Sequence, residues 1–200
     1  MTRLPVGVPP YQVRSATTAD AEALRALLHS RETWMTQRGY PGSRNSYIVL
    51  GLLDSDPGPV KILTEDGEIL GCAVVHQTIV HDPGWSAQER KEPTMGMRMV
   101  YTRLSPFGSA RDPLALYMTW WAGDWVARHH PEVEWIRCTV PSRAVRDLLI
   151  HRDGWAEVRR TQNATFAHLY LMQRRPERKR GLAALIADPE QARPLSPSRP

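Results

Sequence analysis

The sequence is short of several things, and each shortage removes a class of function. It has two cysteines in 200 residues, Cys72 and Cys138, both inside apolar strand-like runs. That excludes a disulfide-dense scaffold and fits two buried free thiols in a reducing compartment. No Cys/His spacing of the kind that holds zinc occurs, so no metal is expected. No run approaches the ~20 apolar residues of a membrane helix, so no membrane partner is expected. The N-terminus MTRLPVGVPP lacks the apolar core of a signal peptide, and a cytoplasmic location is expected. Lysine is scarce, three against 23 arginines, which we attribute to coding composition and not to a ligand.

Positive charge is abundant overall but badly distributed for a nucleic-acid binder. The net charge is +5. Residues 174–200 hold seven Lys/Arg and three Asp/Glu, a surplus of four. Residues 1–173 hold 19 basic and 18 acidic residues and are almost neutral. A basic, Pro/Ser-rich tail therefore carries the excess, and no nucleic-acid partner is expected.

With 42% hydrophobic residues, the chain is long enough for one domain with a sizeable core. We expect a disordered stretch over 1–10, a domain over 11–172 and a tail over 173–200, with a short helix over Gly181–Ala187. Tyr11–Arg14 reads as a first strand. Thr17-Thr18-Ala19-Asp20 opens a helix whose buried face is Ala23, Leu24, Leu27 and Leu28. A second helix is expected over Thr33–Arg38, ended by Gly39. Residues 40–59, with several Gly and Pro around YIVLGLL, are left unassigned. Val60–Thr64 and Ile69–Ile79 are strands joined across Asp66-Gly67, a strong hairpin signal. Residues 81–96 read as a long loop. Trp135–Val140 is a strand, Pro141-Ser142 opens a helix to about Ile150, and Gly154 ends it. Ala156–Thr161 and Thr165–Met172 read as a closing strand pair.

The stretch that organises the rest is RMVYTRLSPFGSARDPLALYMTWWAGDWVARHH, residues 98–130. Met97–Leu104 reads as a strand, Ser105–Asp112 as a turn-rich loop, and 113–129 as a helix with Pro113 at its first position. A strand leading through small residues into a helix N-terminus makes an anion-binding site, because free N–H groups and the helix dipole both favour negative charge. The helix is apolar on two sides: Leu114, Tyr117, Met118, Trp121 and Trp125 on one, Leu116, Trp120, Gly123 and Ala127 on the other. Such a helix is buried or covered by something else.

This arrangement resembles the GNAT superfamily of acyl-CoA N-acyltransferases. Gly108 and Ala110 match the last two positions of that family's loop pattern, while Ser105 stands where the family has Gln or Arg. The run YQVRSATTADAEALRALL resembles its first strand and helix, and Gly154-Trp155 its Gly-Phe or Gly-Trp pair. The resemblance covers residues 11–172. It implies an α/β (α+β) fold, a mixed central sheet of six to seven strands flanked by about four helices. It further implies acetyl-CoA as cosubstrate and a small-molecule amine or aminoacyl compound as acceptor, with a homodimer left open. By the same resemblance, Tyr101, Thr102, Arg103 and Leu104 would hold the pantetheine and Gly108, Ser109, Ala110 and Arg111 the pyrophosphate. Asp112 reads as a plain helix cap.

The acid–base residues are less well marked. Ile150 occupies the place, four before Gly154, where many relatives carry a general-acid tyrosine. Tyr101 on the central strand and His76 at the end of the hairpin are the catalytic candidates, with His81 beside the latter, since an unperturbed His titrates near neutral pH. Met95, Met97 and Met99 alternate along a strand and read as packing. Two functions stay open: an N-acyltransferase, and a catalytically degenerate GNAT-fold module that binds a ligand or serves as a scaffold.

Overall fold

A computed structural model describes residues 8–40, 45–54, 58–77, 84–104, 113–163, 165 and 168–189. Eight strands and four α-helices follow one another among the described residues. Strand β1 (Tyr11–Ser15) leads to helices α1 (Ala21–Gln37) and α2 (Asn45–Gly51). The hairpin β2 (Val60–Glu65) and β3 (Glu68–His76) turns at Asp66-Gly67, both at positive φ. Then come β4 (Thr94–Thr102), α3 (Leu114–His129), β5 (Trp135–Val140) and α4 (Arg143–Asp153). The strands β6 (Ala156–Thr161), β7 (Leu169–Arg174) and β8 (Ile186–Ala187) close the chain.

These strands form one mixed sheet in the order β6-β7-β5-β4-β3-β2-β1-β8. The β4–β5 and β1–β8 pairs are parallel and the others antiparallel. Alternation along the strands sorts side chains to two faces. One face packs Ile62, Cys72, Val74 and Tyr101 against Leu24, Leu27 and Leu28 of α1. The other packs Leu63, Ala73, Val75, Met95 and Met97 against Met118, Trp121 and Val126 of α3.

The ends of the helices follow local chemistry. The Asp20 carboxylate accepts from the Thr17 N–H at 2.8 Å and from both terminal nitrogens of Arg14 at 2.7 and 2.8 Å. The Arg14 hydrogen bonds hold its pKa down at about 2. Helix α1 absorbs the second helix expected over Thr33–Arg38, because nothing between Ser30 and Gln37 interrupts it. Gly154 terminates α4 in the left-handed region at φ 67°, where a Cβ would be strained. Helix α2 lies inside the stretch the sequence left unassigned. Its seven residues are too few to show a helical period.

Two segments read as loop and tail pack onto the body. Residues 84–93 lie across the β5–β7–β6 part of the sheet, with Trp85 buried against Leu171. Beyond β7 the chain crosses the outer side of α3 and adds β8 to the β1 edge, making eight strands where six to seven were expected. The Glu177 N–H donates to the Gly123 carbonyl, the Lys179 N–H to the Asp124 carboxylate, and the Lys179 ammonium lies 4.6 Å from the Trp120 ring centre. This strap is the cover that a two-sided apolar helix requires. Buried Asp153 accepts from Arg174, Lys179 and Trp155, tying strap, α4 and β7 together. A Cβ at Gly123 would lie 3.2 Å from the Arg174 guanidinium, which would have to shift to admit it.

The strap makes the first prediction. Leu182 and Ile186 are buried, at 6% and 3% exposure, and burying such side chains contributes ~1.5–3 kcal/mol each. A chain ending at Arg174 should lose at least about 3 kcal/mol in urea unfolding. An unchanged midpoint would show that the strap adds nothing. A second concerns pH. Asp20 titrates lower folded than unfolded, so its pair with Arg14 stabilises above the ordinary carboxylate value and that contribution fades as pH falls towards 2. Asp20→Asn should lose stability at pH 6 and lose less than wild type on further acidification.

Candidate functional site

The site is built by two neighbouring strands that part. β4 and β5 pair through three rungs, Thr94↔Trp135, Met95↔Ile136 and Gly96↔Arg137. Each then stays with its outer neighbour, β4 with β3 as far as Gly71↔Thr102 and β5 with β7 as far as Val140↔Tyr170. A wedge therefore opens inside the sheet, between Arg98–Thr102 on one side and Cys138–Val140 on the other. The gap between two splayed strands can receive an extended ligand running alongside them.

A β-bulge shapes the β4 wall. Val74 pairs with Arg98 and Cys72 with Tyr101, so Met99 and Val100 together face Ala73. Met99 sits at φ 52°, strained for a side chain of its size. The extra residue reverses the alternation beyond it. Met95 and Met97 point into the α3 core, whereas Tyr101, which shares their parity, points into the α1 core beside Cys72.

The base of the wedge is locked by Arg137, which is 2% exposed. Its guanidinium donates to the Glu89 carbonyl, the Thr94 hydroxyl at 3.2 Å, the Gln173 side chain at 3.1 Å and the Glu92 carboxylate. It also lies 4.9 Å from the centre of the Trp85 ring. One buried cation thus clamps the 84–93 segment to the sheet at the rung where β4 and β5 separate. Arg159 adds an outer tie, donating to Glu89 and to the Gly84 carbonyl. The sequence carried a signal for this: an arginine in the middle of the apolar strand WIRCTV, a residue type seldom buried unless paired.

The expected site residues divide into three groups. Thr102 is buried on the β4 wall. Arg103 continues from it, pairing with Glu68 at 3.1 Å and donating its N–H to the Leu70 carbonyl, and Leu104 is half-buried. His76 ends β3 opposite Gly96, which is itself opposite Arg137, so all three share one row across the sheet at the wedge base. Tyr101, expected as a catalytic group, is 6% exposed within the α1 core because the bulge turns it there. Gly108, Ser109, Ala110 and Arg111, with Ser105, Asp112 and His81, lie outside the described residues. The chain before them ends the β4 wall and the chain after them opens α3, whose Leu114 and Met118 sit in the core beneath the sheet. Ile150 on α4 is partly buried against that same core.

Neither thiol is placed as a nucleophile. Both are buried, and burial pushes Cys72 up to about 12, so it stays a neutral thiol. Among the described residues, no group of three or more His, Cys, Asp or Glu side chains is arranged to hold a metal ion.

A strand pair splayed at mid-sheet, a bulged strand on one side of the opening and a helix start beyond it define a recognisable architecture. No family model matches the sequence, and no curated protein matches it. Solved structures do match. A GNAT-family acetyltransferase from Listeria monocytogenes 4b F2365 superposes with a TM-score of 0.60 at 15% identity, covering 87% of this chain and 99% of its own. One from Streptococcus agalactiae 2603 gives 0.60 at 12% identity, covering 84% and 96%. AAC(6')-Ib in complex with ribostamycin and coenzyme A gives 0.58 at 15% identity, covering 82% and 93%. The chain has the GNAT fold. At these identities the likeness establishes the fold alone.

The clamp at Arg137 generates the third prediction. Arg137→Met keeps the volume but removes four hydrogen bonds, each worth ~0.5–1.5 kcal/mol net and more where charged. The variant should lose at least about 2 kcal/mol, and trypsin should cut faster after Arg90 and Lys91 in the released segment. Wild-type stability and cleavage rate in the variant would show that Arg137 clamps nothing.

Proposed function

We propose that this GNAT-fold protein is an acyl-CoA-dependent N-acyltransferase that moves an acyl group, acetyl in the simplest case, onto the amine of a small molecule or aminoacyl compound. The observation that carries the reading is the wedge itself. Its β4 wall ends where the chain leads through Gly108 and Ala110 into α3. An extended thioester cosubstrate fits such a wedge, with its diphosphate towards the helix start and its acyl end towards the closed base. Solved relatives of the fold support it: AAC(6')-Ib is complexed with ribostamycin and coenzyme A, and N-acetylglutamate synthase from Neisseria gonorrhoeae with coenzyme A and N-acetyl-glutamate.

In this reading the pantetheine runs along β4 from Tyr101 to Leu104, on the side away from Leu70, whose carbonyl takes the Arg103 N–H. Gly108, Ser109, Ala110 and Arg111 hold the diphosphate by backbone N–H groups and one guanidinium. The Tyr101 phenol is enclosed in the α1 core and takes no part in proton transfer. His76, at the wedge base, is the candidate base for the incoming ammonium. Ile150 cannot donate a proton, so the thiolate leaves without an acid at that position. Holding amine and thioester together supplies most of the acceleration, because positioning alone can remove ~7–11 kcal/mol of barrier.

The second reading, a GNAT-fold module that binds a ligand without transfer, is favoured by Ile150, Ser105 and Asp112. The two separate experimentally. Titration calorimetry with acetyl-CoA and with CoA should show micromolar binding, and Gly108→Val should weaken it at least tenfold, about 1.4 kcal/mol. Absence of binding to either ligand contradicts the transferase. Turnover, followed as free thiol released from acetyl-CoA with a panel of amines, should be slow and should rise with pH as the amine deprotonates. Ile150→Tyr should raise it within the ~10²–10⁴-fold range of acid–base assistance. Tight CoA binding with no thiol release by either form favours the module.

A further inference from the structure

A second cavity lies away from the wedge, between α3 and the strap that follows β7. Its volume is about 410 Å³, within the ~300–1,000 Å³ range of small-molecule sites. Trp121, Leu182 and Ile186 line it, and each is 6% exposed or less. Four cations line it as well, Arg128, Arg178, Lys179 and Arg180, against one carboxylate, Asp124.

The pairing of these charges is uneven. Arg128 is held by Asp124 at 2.7 Å and lies 3.7 Å from Asp188. Lys179 is held by Asp153 at 3.2 Å. Asp124 is further occupied by the Lys179 N–H at 2.8 Å. Arg178 and Arg180 have no ion pair among the described residues, yet both border the same cavity.

We infer that this cavity binds a small organic anion, a phosphate monoester with an apolar or aromatic body. Arg178 and Arg180 take the phosphate, for which the guanidinium fork is suited. The apolar body lies against Trp121, Leu182 and Ile186. The volume exceeds what inorganic phosphate fills, and the apolar wall gives inorganic phosphate nothing to rest on. The inference does not depend on the acyltransferase reading, since the cavity is formed by the strap and the wedge is not.

The test is titration calorimetry on the full chain with phenyl phosphate and with inorganic phosphate. Phenyl phosphate should bind at least tenfold more tightly than inorganic phosphate. The double variant Arg178→Ala/Arg180→Ala should weaken it at least tenfold while keeping the wild-type melting temperature, as both side chains are exposed. Gly108→Val, altered at the proposed cosubstrate loop, should leave it unchanged. No binding of phenyl phosphate, equal affinity for the two probes, equal affinity in the double variant, or loss in Gly108→Val would each overturn the assignment.

Discussion

The structure depends on one rung of the sheet. At Gly96↔Arg137 the parallel pairing of β4 and β5 stops, and the proposed site opens from that row. Parting two central strands gives up backbone hydrogen bonds inside the sheet, and unpaired polar groups buried there are costly. The compensation is visible below the split. Arg137 gathers Glu89, Glu92, Thr94 and Gln173 around one guanidinium, which keeps the lower ladder closed while the upper one opens.

The bulge in β4 serves the same geometry. A strand that must stay with β3 on one side and leave β5 on the other has to bend, and a bulge bends a strand and increases its local twist. Met99 takes the left-handed conformation at that bend. The change of parity sends Tyr101 to the α1 core, and so one local irregularity decides both the opening of the wedge and the removal of a phenol from it. The surrounding elements hold this in place: α1 and α3 clamp the two faces, and the strap covers the outer side of α3 through Trp120, Gly123 and Asp124.

Much of the fold was legible because periodicity and turn chemistry agree. Trp135–Val140 and Ala156–Thr161 are strands at the expected residues, Asp66-Gly67 is the hairpin turn and Gly154 ends α4. Apolar residues on both sides of α3 announced a cover. What covers it was not legible. The strap offers only Leu182 and Ile186 as buried apolar anchors, and its other contacts are single hydrogen bonds from a stretch whose composition reads as solvated tail. The 84–93 segment was hidden for the same reason, since it docks through Trp85 and through carbonyls and carboxylates reaching Arg137. At the site, the sequence located the strand and the following helix, and the loop between them lies outside the described residues. The sequence could not register the bulge, because a two-for-one pairing leaves no mark in the alternation of Met95, Met97 and Met99.

The central claim is that the wedge above Gly96↔Arg137 receives an extended acyl-CoA. Hydrogen–deuterium exchange of the full chain, with and without a saturating excess of acetyl-CoA, tests it most directly. The account predicts that amides of residues 98–104, on the open wall of β4, exchange more slowly with ligand, together with those at the start of α3. Slowing confined to α1 and α2, or to the strap, with residues 98–104 unchanged, would contradict it.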